Sequence, residues 1–269
     1  MREDREDAIA ELRRGGRERA ALRPPGPPMP VADGTVDGVG IRRYEQRGPD
    51  TVVFAHGGGF VLGDLETHDA FARRIAASTG RTVVAVDYRR APEHPFPAAF
   101  DDVLTVLDAV LKTRPDGRVA LAGDSAGGFL AILAALARRG RVDGQLLVSP
   151  VAEVALPATS RSVAEKGAGF GLDVAQLREW IGWWAPGAAP DPLSEDLTGM
   201  PPALVVTCEH DPLRDGGDQY AQRLRQAGVP VVHRTEPGLE HNFAQSVHQS
   251  PACAEADARW LRDAAGILR

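Results

Sequence analysis

The sequence is poor in cysteine: it has only 2, Cys208 and Cys253, in 269 residues. Two thiols cannot form a zinc site alone; they could form one disulfide, but a reduced, cytoplasmic chain without a structural metal is the preferred expectation. Long apolar runs are missing too. None comes near the roughly 18 residues of a membrane-spanning helix, so no membrane association is expected. The opening stretch MREDREDAIAELRRGGRER lacks the apolar core of a secretory leader. Positive charge is not in excess, since 31 Lys+Arg face 37 Asp+Glu for a net charge of −6. That balance gives nucleic acid and anionic lipid no general attraction. No internal repeat is visible, which excludes solenoids and propellers. What is present is an ordinary folded composition, 43% hydrophobic and 25% charged, in a chain long enough to bury a large core.

Residues 1–30 differ from the rest. Charges of both signs alternate, Ile9 and Leu12 offer a thin apolar stripe, and Gly15-Gly16 should interrupt a helix. The spacing predicts a short, weakly docked helix, and PPGPPMP predicts an extended linker. Strand-like runs then appear at Thr51–Ala55, Thr82–Val86, Arg118–Ala122, Gln145–Val148, Ala203–Thr207 and Pro230–His233. Helix-length stretches include Ala98–Lys112, Ala126–Arg139, Asp215–Ala227 and Ala252–Leu268. Near-continuous Val/Ile/Leu strands alternating with helices predict an α/β fold with a mostly parallel, twisted central sheet flanked by helices.

The interval from Val151 to Met200 breaks this alternation. It has no strand-like run, but it holds a helical stretch, Asp173–Trp184, with Trp180, Trp183 and Trp184. An insertion between parallel strands sits over their carboxyl ends, where ligands bind. The expected division is therefore 1–30 as an N-terminal cap segment and linker, 31–150 as the first part of the core, 151–200 as inserted cap helices, and 201–269 as the second part, all in one structural domain. The three tryptophans either pack the cap onto the body or, together with Phe60, face a substrate.

The sharpest local feature is Gly123-Asp124-Ser125-Ala126-Gly127-Gly128, between a strand and a helix. So tight a turn needs glycine on both sides and lifts a serine hydroxyl above the sheet at a helix N-terminus. A second feature, His56-Gly57-Gly58-Gly59-Phe60, follows the strand TVVFA. Bare glycine backbone there can approach a substrate oxygen, so Gly58, Gly59 and Ala126 are candidate oxyanion donors. His56 reads as structural. After such a serine the acid and then the base follow in chain order, which removes His56, His68 and His94. His233 lies within a strand, and His210 adjoins the acid candidate. His241, in a turn after PVVHRT, is the preferred base over His248, read as a surface helix residue. Asp211, after the strand ALVVT, is the preferred acid, with Glu209 its rival and Asp215 a candidate helix N-cap.

HGGGF, the run DYRRAPEHPFPAAFDD (Asp87–Asp102), GDSAGG, DPLRD and the later histidine together resemble the bacterial hormone-sensitive-lipase-like esterases of the α/β-hydrolase fold. The resemblance implies an HGGG oxyanion hole, Ser125 as nucleophile, and Asp211 and His241 as its triad partners. It also implies a cap built from N-terminal and inserted helices that shapes the acyl and alcohol pockets. Three positions depart from the pattern. Arg90 replaces a common leucine, Gly216 an acidic residue, and Asn242 the glycine of an HGF-like context. The expected function is a carboxylesterase for short- to medium-chain esters, using an acyl-enzyme and neither metal nor cofactor. The partner is a small-molecule ester, and the chain acts as a monomer or homodimer. A lactonase, amidase, deacetylase or acyltransferase would use the same residues, and a non-catalytic ligand-binding member of the fold is the remaining alternative.

Overall fold

Strands that are apolar on both sides must be covered on both faces, and the centre of the molecule follows that rule. A computed structural model describes residues 2–113 and 116–268. Its strands are β1 (Val31–Val36), β2 (Val39–Tyr44), β3 (Thr51–Ala55), β4 (Thr82–Asp87), β5 (Val119–Asp124), β6 (Gly144–Val148), β7 (Ala203–His210) and β8 (Val231–Glu240). They form one sheet in the order β1-β2-β4-β3-β5-β6-β7-β8. The strands from β3 to β8 pair in parallel, while β2 joins β1 and β4 antiparallel. Every residue of β3, β5 and β6 is buried.

The helices are α1 (Arg2–Ala21), α2 (Asp69–Thr79), α3 (Ala98–Thr113), α4 (Ala126–Ala137), α5 (Arg161–Lys166), α6 (Val174–Trp184), α7 (Arg214–Gln226) and α8 (Pro251–Ile267). Alternate strand residues face opposite ways, so the core has two parts. Val53, Val84, Leu121 and Val205 pack with α3, α4 and α7. Val52, Phe54, Ala120 and Leu204 pack with Phe71 and Ile75 of α2 and Trp260 of α8. Each Val, Leu, Ile or Phe among them, fully buried, contributes roughly 1.5–3 kcal/mol. Among the described residues no helix is long and apolar enough to cross a membrane.

Four elements differ from the sequence expectation. Helix α1 runs unbroken through Gly15-Gly16. Tertiary anchors override the weak propensity: Arg13 donates to the Val61 and Ala91 carbonyls and to Glu93, and Arg17 pairs with Asp64. Ile9 is buried and Leu12 exposed, so this long helix docks chiefly through its arginines. The β1–β2 hairpin was not anticipated. Its first strand is largely exposed, and its turn at Asp37-Gly38 has positive φ at both positions, the geometry a two-residue hairpin favours. Helix α2 was also missed, although Phe71, Ala72, Ile75 and Ala76 give it one buried face and Gly80 ends it in the left-handed region. Finally, β8 continues through Pro237-Gly238 to Glu240 instead of stopping at a turn. An edge strand tolerates proline, and the irregularity is absorbed as a register shift at Cys208/His210.

Because β3 to β8 run in one direction, the segments after β3, β5, β7 and β8 meet at one end of the sheet. Residues 151–200, which carry α5 and α6, are inserted between β6 and β7.

Candidate active site

Between β5 and α4, Ser125 adopts φ 53° and ψ −121°, a conformation costly for a residue with a side chain. The surrounding backbone enforces it. A Cβ on Gly123 would collide with the Gly127 carbonyl, and one on Gly127 with the Ala55 carbonyl. The turn is fastened to its neighbour strand: Ser125 N–H donates to Val148 O at 3.1 Å, and Val151 N–H donates to Ser125 O at 2.9 Å.

The structure brings the three predicted side chains together. His241 is the first residue after β8, and its Nε2 lies 3.0 Å from Ser125 Oγ. Its Nδ1 lies 2.8 Å from Asp211 Oδ2. Asp211, wholly buried just beyond β7, accepts the Leu213 N–H on its other oxygen at 2.8 Å. A carboxylate only accepts, so Nδ1 carries the imidazole proton and Nε2 turns its lone pair to the serine hydroxyl. Burial works against a charged imidazole, but the charge and hydrogen bond of Asp211, aided by Asp124, hold His241 above its ordinary pKa.

The rival residues are occupied elsewhere. Glu209 is exposed and accepts the Gly238 N–H at 2.7 Å. Asp215 is not an N-cap; it lies second in α7 and holds Ser160 Oγ and the Ser162 N–H at 3.1 and 2.8 Å. His233 pairs with Asp218. His248 is exposed, in a turn and not on a helix.

The glycine loop is tied to the serine turn through the Gly57 N–H on Asp124. Gly58 and Gly59 have φ of 127° and 60°, and a Cβ on Gly58 would strike the Leu62 carbonyl. Among the described residues no protein acceptor takes the N–H of Gly58, Gly59 or Ala126. Two side chains that sequence reading left without a role organise this loop. Asp124 Oδ1 accepts the Gly57 N–H at 3.0 Å, and its Oδ2 accepts from His68 Nε2 at 3.2 Å. Burial alone would raise the Asp124 carboxyl, yet facing His68 and these hydrogen bonds keep it below its ordinary value. The available signal was a charged residue ending an otherwise apolar strand. His56 is buried, stacks on Tyr88 at 4.2 Å, and directs Nδ1 to Gly57 O at 2.8 Å. Burial, reinforced by His68, pushes its pKa down to about 3, so it stays neutral.

The aromatic candidates divide by position. Phe60 and Trp184 are wholly buried and stack at 4.0 Å, with Phe129 and Phe96 edge-on to the indole. This pair packs the inserted segment onto the body. Trp183 is half-buried beneath Arg5, at 5.3 Å. Trp180 is the one against the glycine loop, where a Cβ on Gly59 would collide with its ring. No group of three or more His, Cys, Asp or Glu side chains among the described residues is placed to hold a metal ion. Cys208 and Cys253 are free thiols.

A serine on a strained strand-to-helix turn, an imidazole and a buried carboxylate have the arrangement of a hydrolase-type site, and comparison with known proteins places the fold in a hydrolase family. The alpha/beta hydrolase fold family matches residues 52–245. Carboxylesterase NlhH of Mycobacterium tuberculosis is 41% identical over 233 residues, covering 78% of this chain and 71% of the relative. Esterase LipI of the same organism is 36% identical over 95% of this chain and 88% of its own. Among solved structures, the thermophilic carboxylesterase EstE1 from a metagenomic library superposes with a TM-score of 0.86 at 34% identity, covering 97% of this chain and 98% of that one. The chain therefore belongs to the α/β-hydrolase fold family and, within it, to the hormone-sensitive-lipase-like esterases.

Proposed function

We propose that the chain is a carboxylesterase that cleaves short- to medium-chain carboxylic esters through an acyl-enzyme on Ser125. The single observation that carries this reading is the unbroken hydrogen-bonded line Ser125 Oγ–His241–Asp211, beside glycine N–H groups with no protein acceptor. His241 Nε2 takes the serine proton as Oγ bonds to the ester carbonyl carbon. The carbonyl oxygen becomes an oxyanion and accepts from Gly58, Gly59 and Ala126 N–H. One such donor is worth about 3 kcal/mol of barrier. His241 then gives its proton to the leaving alkoxide, and the alcohol departs. Water repeats the sequence on the acyl-enzyme: His241 takes its proton, the tetrahedral intermediate collapses, and the acid leaves as Ser125 recovers its hydrogen. Asp211 keeps the imidazole in the required tautomer and stabilises the imidazolium.

Helices α1, α5 and α6 serve as the cap, with Trp180 the wall beside the oxyanion loop. The protein acts in the cytoplasm on a small-molecule ester, as a monomer or homodimer. Ser125→Ala is the direct test: hydrolysis of short p-nitrophenyl esters should vanish, and undiminished turnover would overturn the reading.

A further inference from the structure

Arg90 lies three residues beyond β4, and its side chain is only 18% exposed. It does not simply face solvent. One guanidinium nitrogen donates to the carbonyl of Gly63, and the group lies 3.9 Å from both Asp64 and Asp87. Gly63 ends the turn that begins at the glycine loop, where Val61 and Leu62 N–H both donate to Gly58 O at 3.1 and 2.7 Å. It has φ 78° and packs so closely that a Cβ would strike the Gly57 carbonyl oxygen and lie 2.6 Å from His56 Nδ1. The Gly57 carbonyl and the Gly58 N–H belong to one planar peptide. His56 Nδ1 holds that carbonyl at 2.8 Å and Gly63 packs against it, and whatever fixes its direction fixes the direction of the N–H.

We propose that Arg90 is a positioning residue for the oxyanion hole: by holding the Gly63 carbonyl it keeps Gly63 against the Gly57 carbonyl, and so aims the Gly58 N–H at the developing oxyanion. The proposal rests on the reading of Gly58 as an oxyanion donor. Two other guanidinium groups steady the same stretch, Arg13 on the Val61 carbonyl at 2.9 Å and Arg17 on Asp64. Both come from α1, so Arg90 is the contribution of the segment after β4. An apolar side chain could fill the space but could not hold a carbonyl oxygen, so the loop depends on a charged donor at this position.

The test compares Arg90→Ala, Arg90→Lys and Ser125→Ala on p-nitrophenyl acetate, together with binding of a trifluoromethyl ketone, which forms a tetrahedral oxyanion on the serine. Arg90→Ala should lower kcat about 10- to 100-fold with KM nearly unchanged, and weaken the ketone by a similar factor. Millimolar guanidinium should restore much of both losses, and Arg90→Lys should retain part. Wild-type kcat and ketone affinity in Arg90→Ala would overturn the proposal. So would a loss that guanidinium does not relieve and that follows a lowered melting temperature. Full hydrolysis by Ser125→Ala would instead overturn the reading of the site itself.

Discussion

Asp124 accepts the backbone N–H of Gly57 at 3.0 Å across 67 positions of sequence. The aspartate immediately precedes Ser125, and the glycine immediately precedes Gly58 and Gly59. One carboxylate thus ties the serine turn to the glycine loop that carries the proposed oxyanion donors, and the space is tight: a Cβ on Gly57 would lie 2.5 Å from Asp124 Oδ2. In the proposed mechanism the distance from Ser125 Oγ to the donors must match a tetrahedral carbon, so this bond acts on the barrier and not only on the fold.

Asp124→Asn should separate these roles. An amide offers one acceptor oxygen, so either Gly57 or His68 loses its partner, at a cost of about 1–3 kcal/mol for the buried donor left over. Acylation should slow by about tenfold or more as the loop drifts. Stopped-flow bursts with a p-nitrophenyl ester, beside thermal melts, check this. A variant of lowered stability with an unchanged burst rate would confine Asp124 to a structural role.

The raised pKa of His241 gives a pH profile with a definite sign. Nε2 must be unprotonated to take the serine proton, so kcat/KM should rise with pH through a value above the ordinary imidazole pKa of about 6.5. Asp211→Asn removes the charge that raises it. The acidic limb should then move to lower pH while kcat falls by about four orders of magnitude, as the imidazole is left in the wrong tautomer. Stability follows the opposite course. The folded chain binds this proton more tightly than the unfolded one, so the contribution is fully present below about pH 6.5 and is lost as pH rises through the folded pKa. Melting temperatures of wild type and Asp211→Asn should therefore converge at high pH with respect to this pair.

The strands from β3 onward were legible because burial on both faces demands continuous apolar residues, as in TVVFA and ALVVT. That Ser125, Asp211 and His241 would meet was legible, because a turn of this kind restricts its neighbours to glycine and its candidate partners to a chain order. The β1–β2 hairpin was not, because its stability lies in pairing with β4 and in a two-residue turn, and neither needs apolar residues. The continuity of α1 was hidden for a related reason: Gly15-Gly16 opposes a helix locally, and the arginines that overrule it find their partners 47 or more positions away. Asp124 and His68 act through each other and through Gly57, a relationship that exists only after the strands align.

Among the tryptophans the structure predicts unequal stability effects. Trp184 is wholly buried, stacked on Phe60 and edge-on to Phe96 and Phe129. Trp184→Ala should destabilise the protein by about 3–5 kcal/mol, the usual cost of emptying such a site. Trp183→Ala should cost about 1 kcal/mol or less, since it forfeits mainly a cation–π contact with Arg5. Urea unfolding of the two variants tests the order, and equal losses would mean that the stack does not hold the inserted segment.

Trp180 should set the size of the substrate. Its ring lies against Gly59, with Leu177 from the same helix also within reach of that glycine, so the space beside the glycine loop is bounded by α6. Shortening the side chain removes volume there without touching Ser125, His241 or Asp211. Trp180→Leu should therefore raise kcat/KM for longer acyl chains relative to acetyl. A gain on the order of tenfold fits a pocket enlarged by a few methylenes, because each methylene discriminates by about 1–3 kcal/mol at most. Leucine is the better choice than alanine, since it limits the cavity and the stability loss that would confuse the comparison. A series of p-nitrophenyl esters from acetate to decanoate gives the readout. An unchanged ratio along that series, with the acetate rate preserved, would mean that the acyl chain lies away from Trp180 and that α6 covers the alcohol side.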